Sequence, residues 1–116
     1  MQRLPKVLVE NVQLTNAYAP YYPAPANTLA TINAATLNNT SGAPVTVSIS
    51  IVPAAGAQGN TNEIVTNLSI PAAGAAPTVV TALLGQHLSA GETLQMKAST
   101  GTAITPRISG YETVAS

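Results

Sequence analysis

Val45-Thr46-Val47-Ser48-Ile49-Ser50-Ile51-Val52 alternates without a break. Val45, Val47, Ile49 and Ile51 make one apolar face, and Thr46, Ser48, Ser50 and Val52 stand on the other. Period two is the signature of a half-buried strand, because successive side chains leave a pleated backbone on opposite sides. Thr and Ser outside keep β propensity without adding charge.

Working outward, Asn39-Thr-Ser-Gly-Ala-Pro44 is a turn cluster. Before it, Thr28 to Asn38 carries Leu29, Ile32 and Leu37 with one slip of alternation, which predicts a bulge. The two runs read as an antiparallel hairpin. Glu63 to Ile70 puts Ile64, Thr66, Leu68 and Ile70 on one face. Thr78 to Leu84 is a short continuous apolar run. Glu92 to Ser99 turns Leu94, Met96 and Ala98 inward against Thr93, Gln95 and Lys97. Ala103 to Val114 is a last strand, whose Pro106 predicts an edge position or an irregular start. Lys6 to Thr15 is the first strand, with Val7 and Val9, then Val12 and Leu14 after a register change. About seven short strands in one domain, residues 1–116, predict an all-β antiparallel sandwich, jelly-roll or immunoglobulin-like. Val52-Pro-Ala-Ala-Gly-Ala is echoed by Ile70-Pro-Ala-Ala-Gly-Ala, read as the same exit from a strand used twice.

The composition bears on function. Only 7% of the residues are charged, and four Lys or Arg balance four Glu; ordinary domains are about 25% charged. There is no Asp, Cys, Phe or Trp, and His87 is the one imidazole. Metal sites draw on clusters of His, Cys, Asp and Glu, so no metal or other cofactor is expected. Nucleophilic catalysis needs a base oriented by an acid, and His87 has no Asp partner. Glu10, Glu63, Glu92 and Glu112 each fall near a strand end or beside a turn, the place of solvated charges. Four cations make no basic stripe for nucleic acid. No apolar run reaches the ~20 residues of a membrane span, and the amino-terminal stretch has no signal-peptide core; the expectation is a soluble, non-enzymatic product of the cytoplasm in which it is made.

Residues 16–27 differ in kind. Tyr18, Tyr21 and Tyr22 fall among Pro20, Pro23 and Pro25. A Pro-rich backbone is stiff and costs little entropy to dock, and Tyr is favoured at interfaces. The segment is either a loop that supplies aromatic packing or an arm lying on a neighbouring subunit, and these six residues are the interface candidates. Near-zero net charge favours association. A face of hydroxyls and amides carries little charge-desolvation cost on burial. A homo-oligomer in many copies is therefore expected, with the broad strand faces covered by neighbours.

Tyr22-Pro-Ala-Pro-Ala-Asn-Thr leading into Leu29-Ala-Thr-Ile, the stretch from Leu37 through the Thr/Val run to Val52-Pro, and Leu88-Ser-Ala-Gly-Glu-Thr-Leu together resemble small β-sandwich virion proteins of tailed bacteriophages. The likeness covers roughly residues 20–112 in compositional and turn-like motifs. The Gly91-Glu92 turn also resembles jelly-roll domains of the tumour-necrosis-factor type. The resemblance implies a virion component made in the host cytoplasm. It would be a capsid decoration (cement) protein contacting the major capsid protein or other virion proteins; the alternative is a neck, collar, tail or fibre-base part. It carries over no catalytic residue. A glycan-binding sandwich is a third reading, and predicts a stacking platform built from Tyr18, Tyr21, Tyr22 or Tyr111.

Overall fold

A computed structural model describes residues 2–59, 61–74 and 77–114. The strands are β1 (Gln2–Val9), β2 (Ala19–Pro23), β3 (Thr28–Asn39), β4 (Val45–Val52), β5 (Glu63–Ile70), β6 (Thr78–Val79), β7 (His87–Leu88), β8 (Thr93–Ala98) and β9 (Ile104–Val114). Two antiparallel sheets face each other. The first runs β1-β9-β3-β6, with β7 also on β3; the second runs β2-β8-β4-β5. The chain is the all-β sandwich the alternation predicts.

The order of wrapping distinguishes the two sandwich types. β6 and β7 lie along the same side of β3 as two pieces of one interrupted strand. Among the other connections only β4 to β5 stays within a sheet. Every remaining connection crosses from one sheet to the other, which is the double Greek-key course of a jelly roll. An immunoglobulin-like order would keep more consecutive strands side by side.

The expected hairpin of β3 and β4 is therefore not formed. β3 pairs with β9, and β4 pairs with β5 and β8. Residues 40–44 arch between layers that pack ~10 Å apart. Asn39 holds the arch: its Nδ2 donates to the Ala43 carbonyl at 2.7 Å and to the Ile70 carbonyl at 3.3 Å, on the opposite sheet. The expected bulge in β3 is present, as a register shift between Ile32 and Ala34.

Leu94, Met96 and Ala98 of β8 are buried as expected, against Ile32, Leu37, Ile104 and Ile108 from the other layer. Val45, Val47 and Ile49 of β4 join them. Four expectations change. β1 ends at Val9, because Asn11, at φ 56°, turns the chain out of the sheet. Leu14 then plugs the side of the sandwich, its N–H donating to the Ile104 carbonyl at 2.9 Å, while Val12 is exposed. The Thr78–Leu84 run is a two-residue strand followed by a 3-10 turn, Thr81–Leu83. Strand β5 breaks its alternation at Asn67, at φ 49°, so Thr66 and Asn67 both face solvent.

β9 is an inner strand, yet Pro106 sits where it has one neighbour. β1 reaches only to Ile108, whereas β3 continues to Ile104. The missing N–H thus falls on the irregular start of the strand, where no ladder bond is lost. The two echoed exits fold differently. Gly56 closes its turn on the Pro53 carbonyl at 3.0 Å, with Ala55 at φ 60°. In the second copy Ala73 donates to the Ser41 carbonyl at 2.8 Å and Gly74 takes φ 100°; Ala75 lies outside the described residues.

Candidate functional site

The Tyr/Pro segment is built into the sandwich. Ala19–Pro23 is the edge strand β2, paired to β8 with a register shift between Pro20 and Tyr22. An edge strand has a free side on which Pro costs no ladder bond, and Pro20, Pro23 and Pro25 are exposed. The tyrosines go the other way. Tyr22 is buried at 4% exposure. Its hydroxyl donates to Glu112 Oε2, and Lys6 Nζ donates to the same oxygen at 3.2 Å. Lys6 Nζ also stands 5.9 Å from the Tyr22 ring centre. One carboxylate thus ties β1 and β9 of the first sheet to β2 of the second. Burial, and then the hydrogen bond to that carboxylate, push the Tyr22 phenol well above its ordinary value. Tyr21 is half-buried and its hydroxyl accepts the Thr15 N–H at 3.2 Å.

Tyr18 anchors a second cluster on the outer face of the second sheet. Its hydroxyl donates to Glu63 Oε2, and Thr66 Oγ1 donates to Glu63 Oε1 at 2.5 Å. Lys97 Nζ lies 5.0 Å from the Tyr18 ring centre. Burial, then the bond to Glu63, raise the Tyr18 phenol, while the Ser50 and Ser48 hydroxyls act in the opposite direction. The Thr66 bond, followed by the Tyr18 bond, holds the Glu63 carboxyl below its usual range. A carboxyl depressed in the folded state stabilises the fold above its unfolded value, and that contribution is lost as pH falls through the folded value. Thr66→Val is expected to raise the Glu63 pKa more than Tyr18→Phe does, in a carboxyl-carbon NMR titration; an unmoved Glu63 in both would contradict the two bonds.

Two features escaped the sequence reading. Glu112, expected as a solvated strand-end charge, is buried. Counting by twos from Ile104 through Pro106, Ile108 and Gly110 reaches it on the inward face, and that signal was available. The hydroxyl face of β4 is also covered: Ser48 and Ser50 are buried. Ser50 Oγ accepts from Gln58 Nε2 at 3.1 Å, and Ser48 Oγ accepts the Asn67 N–H at 3.0 Å. No local signal carries this, because the covering groups come from loops and from β5.

The outer face of the first sheet keeps the uncharged character expected of the strand faces. The register aligns Thr31, Ala34, Thr36 and Asn38 of β3 with Tyr111, Ser109, Arg107 and Thr105 of β9. Arg107 is the charge on this array, and its Nη1 meets Glu10 Oε2 at 3.2 Å. His87 lies on the same face, its Nδ1 3.0 Å from Thr31 Oγ1. Leu29, beside Thr113, and Val79, beside Thr36, add exposed apolar area. Among the described residues no three of His, Cys, Asp and Glu gather as metal ligands, and no helix is long and apolar enough to cross a membrane. No protein-family model, curated protein or solved structure matches the chain.

Proposed function

We propose that the chain is a non-enzymatic virion structural protein of a tailed bacteriophage, a capsid decoration protein that reinforces the shell in many copies. The observation that carries this reading is the outer face of the β1-β9-β3 sheet. Over the paired length of β3 and β9 it presents mostly the uncharged side chains of Thr, Ser, Asn, Ala and Tyr, and Arg107 among them is matched by Glu10. Such a face leaves a neighbour few charges to desolvate, and Arg107 meets it already paired with Glu10. The jelly-roll course is common among capsid proteins, and equally among lectins, so it supports the reading by analogy only. The resemblance of residues 20–112 to small virion sandwiches points the same way.

Electron microscopy of particles made with and without the protein is the direct test. Hundreds of copies on the shell, and shells that break more easily without them, are expected. Six or twelve copies at the neck or tail, with an unaltered shell, would overturn the decoration role in favour of the neck, collar or tail part. A substitution sharpens the test. Thr36→Lys and Ser109→Lys each place an unmatched charge on the face. Both are expected to change stability by no more than about 0.5 kcal/mol, as exposed substitutions do, yet to abolish decoration in a particle-binding assay.

A further inference from the structure

The outer face of the second sheet differs from that of the first: it is hollowed. A recess of about 290 Å³ opens between β4, β8 and the break in β5, lined by Asn16, Thr46, Ser48, Asn67, Lys97 and Ser99, with Ala98 at its floor. We propose that this recess binds a single acidic monosaccharide, a sugar ring bearing a carboxylate.

The lining carries hydroxyls, amides and one ammonium, and no carboxylate. Lys97 lies within ion-pair distance of no carboxylate among the described residues; its Nζ stands over the Tyr18 ring, and its charge is felt by Glu63 without a direct contact. Glu63, the neighbouring acid, is already engaged by Tyr18 and Thr66. Asn67 is held in place by its neighbour: Ser48 Oγ accepts its N–H at 3.0 Å and lies 3.4 Å from its Oδ1. Among the described residues the Asn67 amide nitrogen has no protein acceptor. The Thr46 N–H donates to Ser99 Oγ at 3.1 Å, so the Ser99 hydroxyl hydrogen is free to turn outward.

A bare anion would need one or two of these groups and would leave most of the recess empty. An apolar ligand would find neither an aromatic ring nor a large aliphatic side chain on the lining. Small-molecule sites start at ~300 Å³, which suits one ring rather than a chain. Hydroxyls that both donate and accept match the hydroxyls of a sugar, and the ammonium of Lys97 matches its carboxylate through a charge-assisted bond. Of the tyrosines offered for a stacking platform, Tyr22 is buried, and the Tyr18 ring carries Lys97 over its face. Recognition here runs through hydrogen bonds and charge. The proposal does not rest on the virion reading, and either can fail without the other.

The test is a titration of the isotope-labelled full chain by amide NMR with glucuronate and galacturonate. Glucose, acetate and a poly-glutamate peptide serve as comparison ligands. Saturable shifts confined to residues 46–48, 67 and 97–99 are expected for the uronates, with millimolar affinity. Glucose and acetate are each expected to bind about tenfold more weakly, equivalent to about 1.4 kcal/mol. Lys97→Met and Asn67→Gly should each weaken the uronate by about tenfold, with the remaining spectrum unchanged; glycine keeps the positive φ of position 67. The proposal is overturned by an absence of saturable shifts or by shifts elsewhere. Acetate or the peptide binding as well as the uronates would overturn it too, as would undiminished binding by Lys97→Met.

Discussion

Gly110→Ala is expected to abolish folding or to lower stability by more than about 4 kcal/mol, the range reserved for severe backbone or core damage. Gly110 lies in β9 between Ile32 of β3 and Lys6 of β1. A Cβ at this position would stand 1.8 Å from the Thr31 carbonyl oxygen and 2.9 Å from its carbon. No rotamer relieves such a clash, because both partners are backbone. The close approach falls where β3 slips register between Ile32 and Ala34, which pair with Gly110 and Ser109. A close approach of two backbones is one of the uses of glycine inside a strand. β9 is the inner strand that joins β1 to β3, so prising it from β3 opens the first sheet at its centre. Domains of this size are stable by only about 5–15 kcal/mol. Urea unfolding followed by circular dichroism is the measurement. Gly42→Ala is the control, since nothing lies within 4 Å of a Cβ there, and its midpoint should stay within about 0.5 kcal/mol of the parent. If Gly110→Ala unfolds at the parent midpoint, the pairing of β3 with β9 at this register is refuted.

Tyr22→Ala is expected to cost about 3–5 kcal/mol, the range for deleting a buried aromatic ring. With no Phe or Trp in the chain, the core is made of branched aliphatics, Ala and one Met, and Tyr22 supplies its buried ring. Removing it also takes a donor from Glu112, leaving that buried carboxylate with Lys6, whose side chain is half exposed. Tyr22→Phe separates the two effects. It keeps the ring and deletes the hydroxyl, and the expected loss is about 1.5–3 kcal/mol, the value of a hydrogen bond to a charged group. Combining Tyr22→Phe with Glu112→Gln should give less than the sum of the separate losses, because the two residues share one bond. Strict additivity in denaturant midpoints would show that the hydroxyl and the carboxylate do not support each other.

Much of the secondary structure was legible because strand alternation is local. The β4 and β8 patterns named Val45, Val47, Ile49, Leu94, Met96 and Ala98 as core without reference to any partner. The slip in β3 was visible for the same reason. Pro106 was legible in part: its residue type told of a missing ladder bond, but an inner strand with a one-sided start satisfies that condition as well as an edge strand does. The Tyr/Pro segment left two readings open, since a proline-rich edge strand and a proline-rich arm have the same local composition.

The sequence by itself determined that the chain is all β, which residues of the best strands point inward, and that few charges are present to line a catalytic centre. These properties follow from the two-residue pleat and from side-chain chemistry, both of which are local. Tertiary structure alone decided that β3 and β4 part into different sheets, that the strands wrap as a jelly roll, that Glu112 turns inward to meet Tyr22 and Lys6, and that Ser48 and Ser50 are covered. Strand pairing is made by hydrogen bonds between residues distant in sequence, and an apolar face reads the same whichever sheet it completes. A polar face likewise reads as solvent-facing until the chain brings something to lie over it.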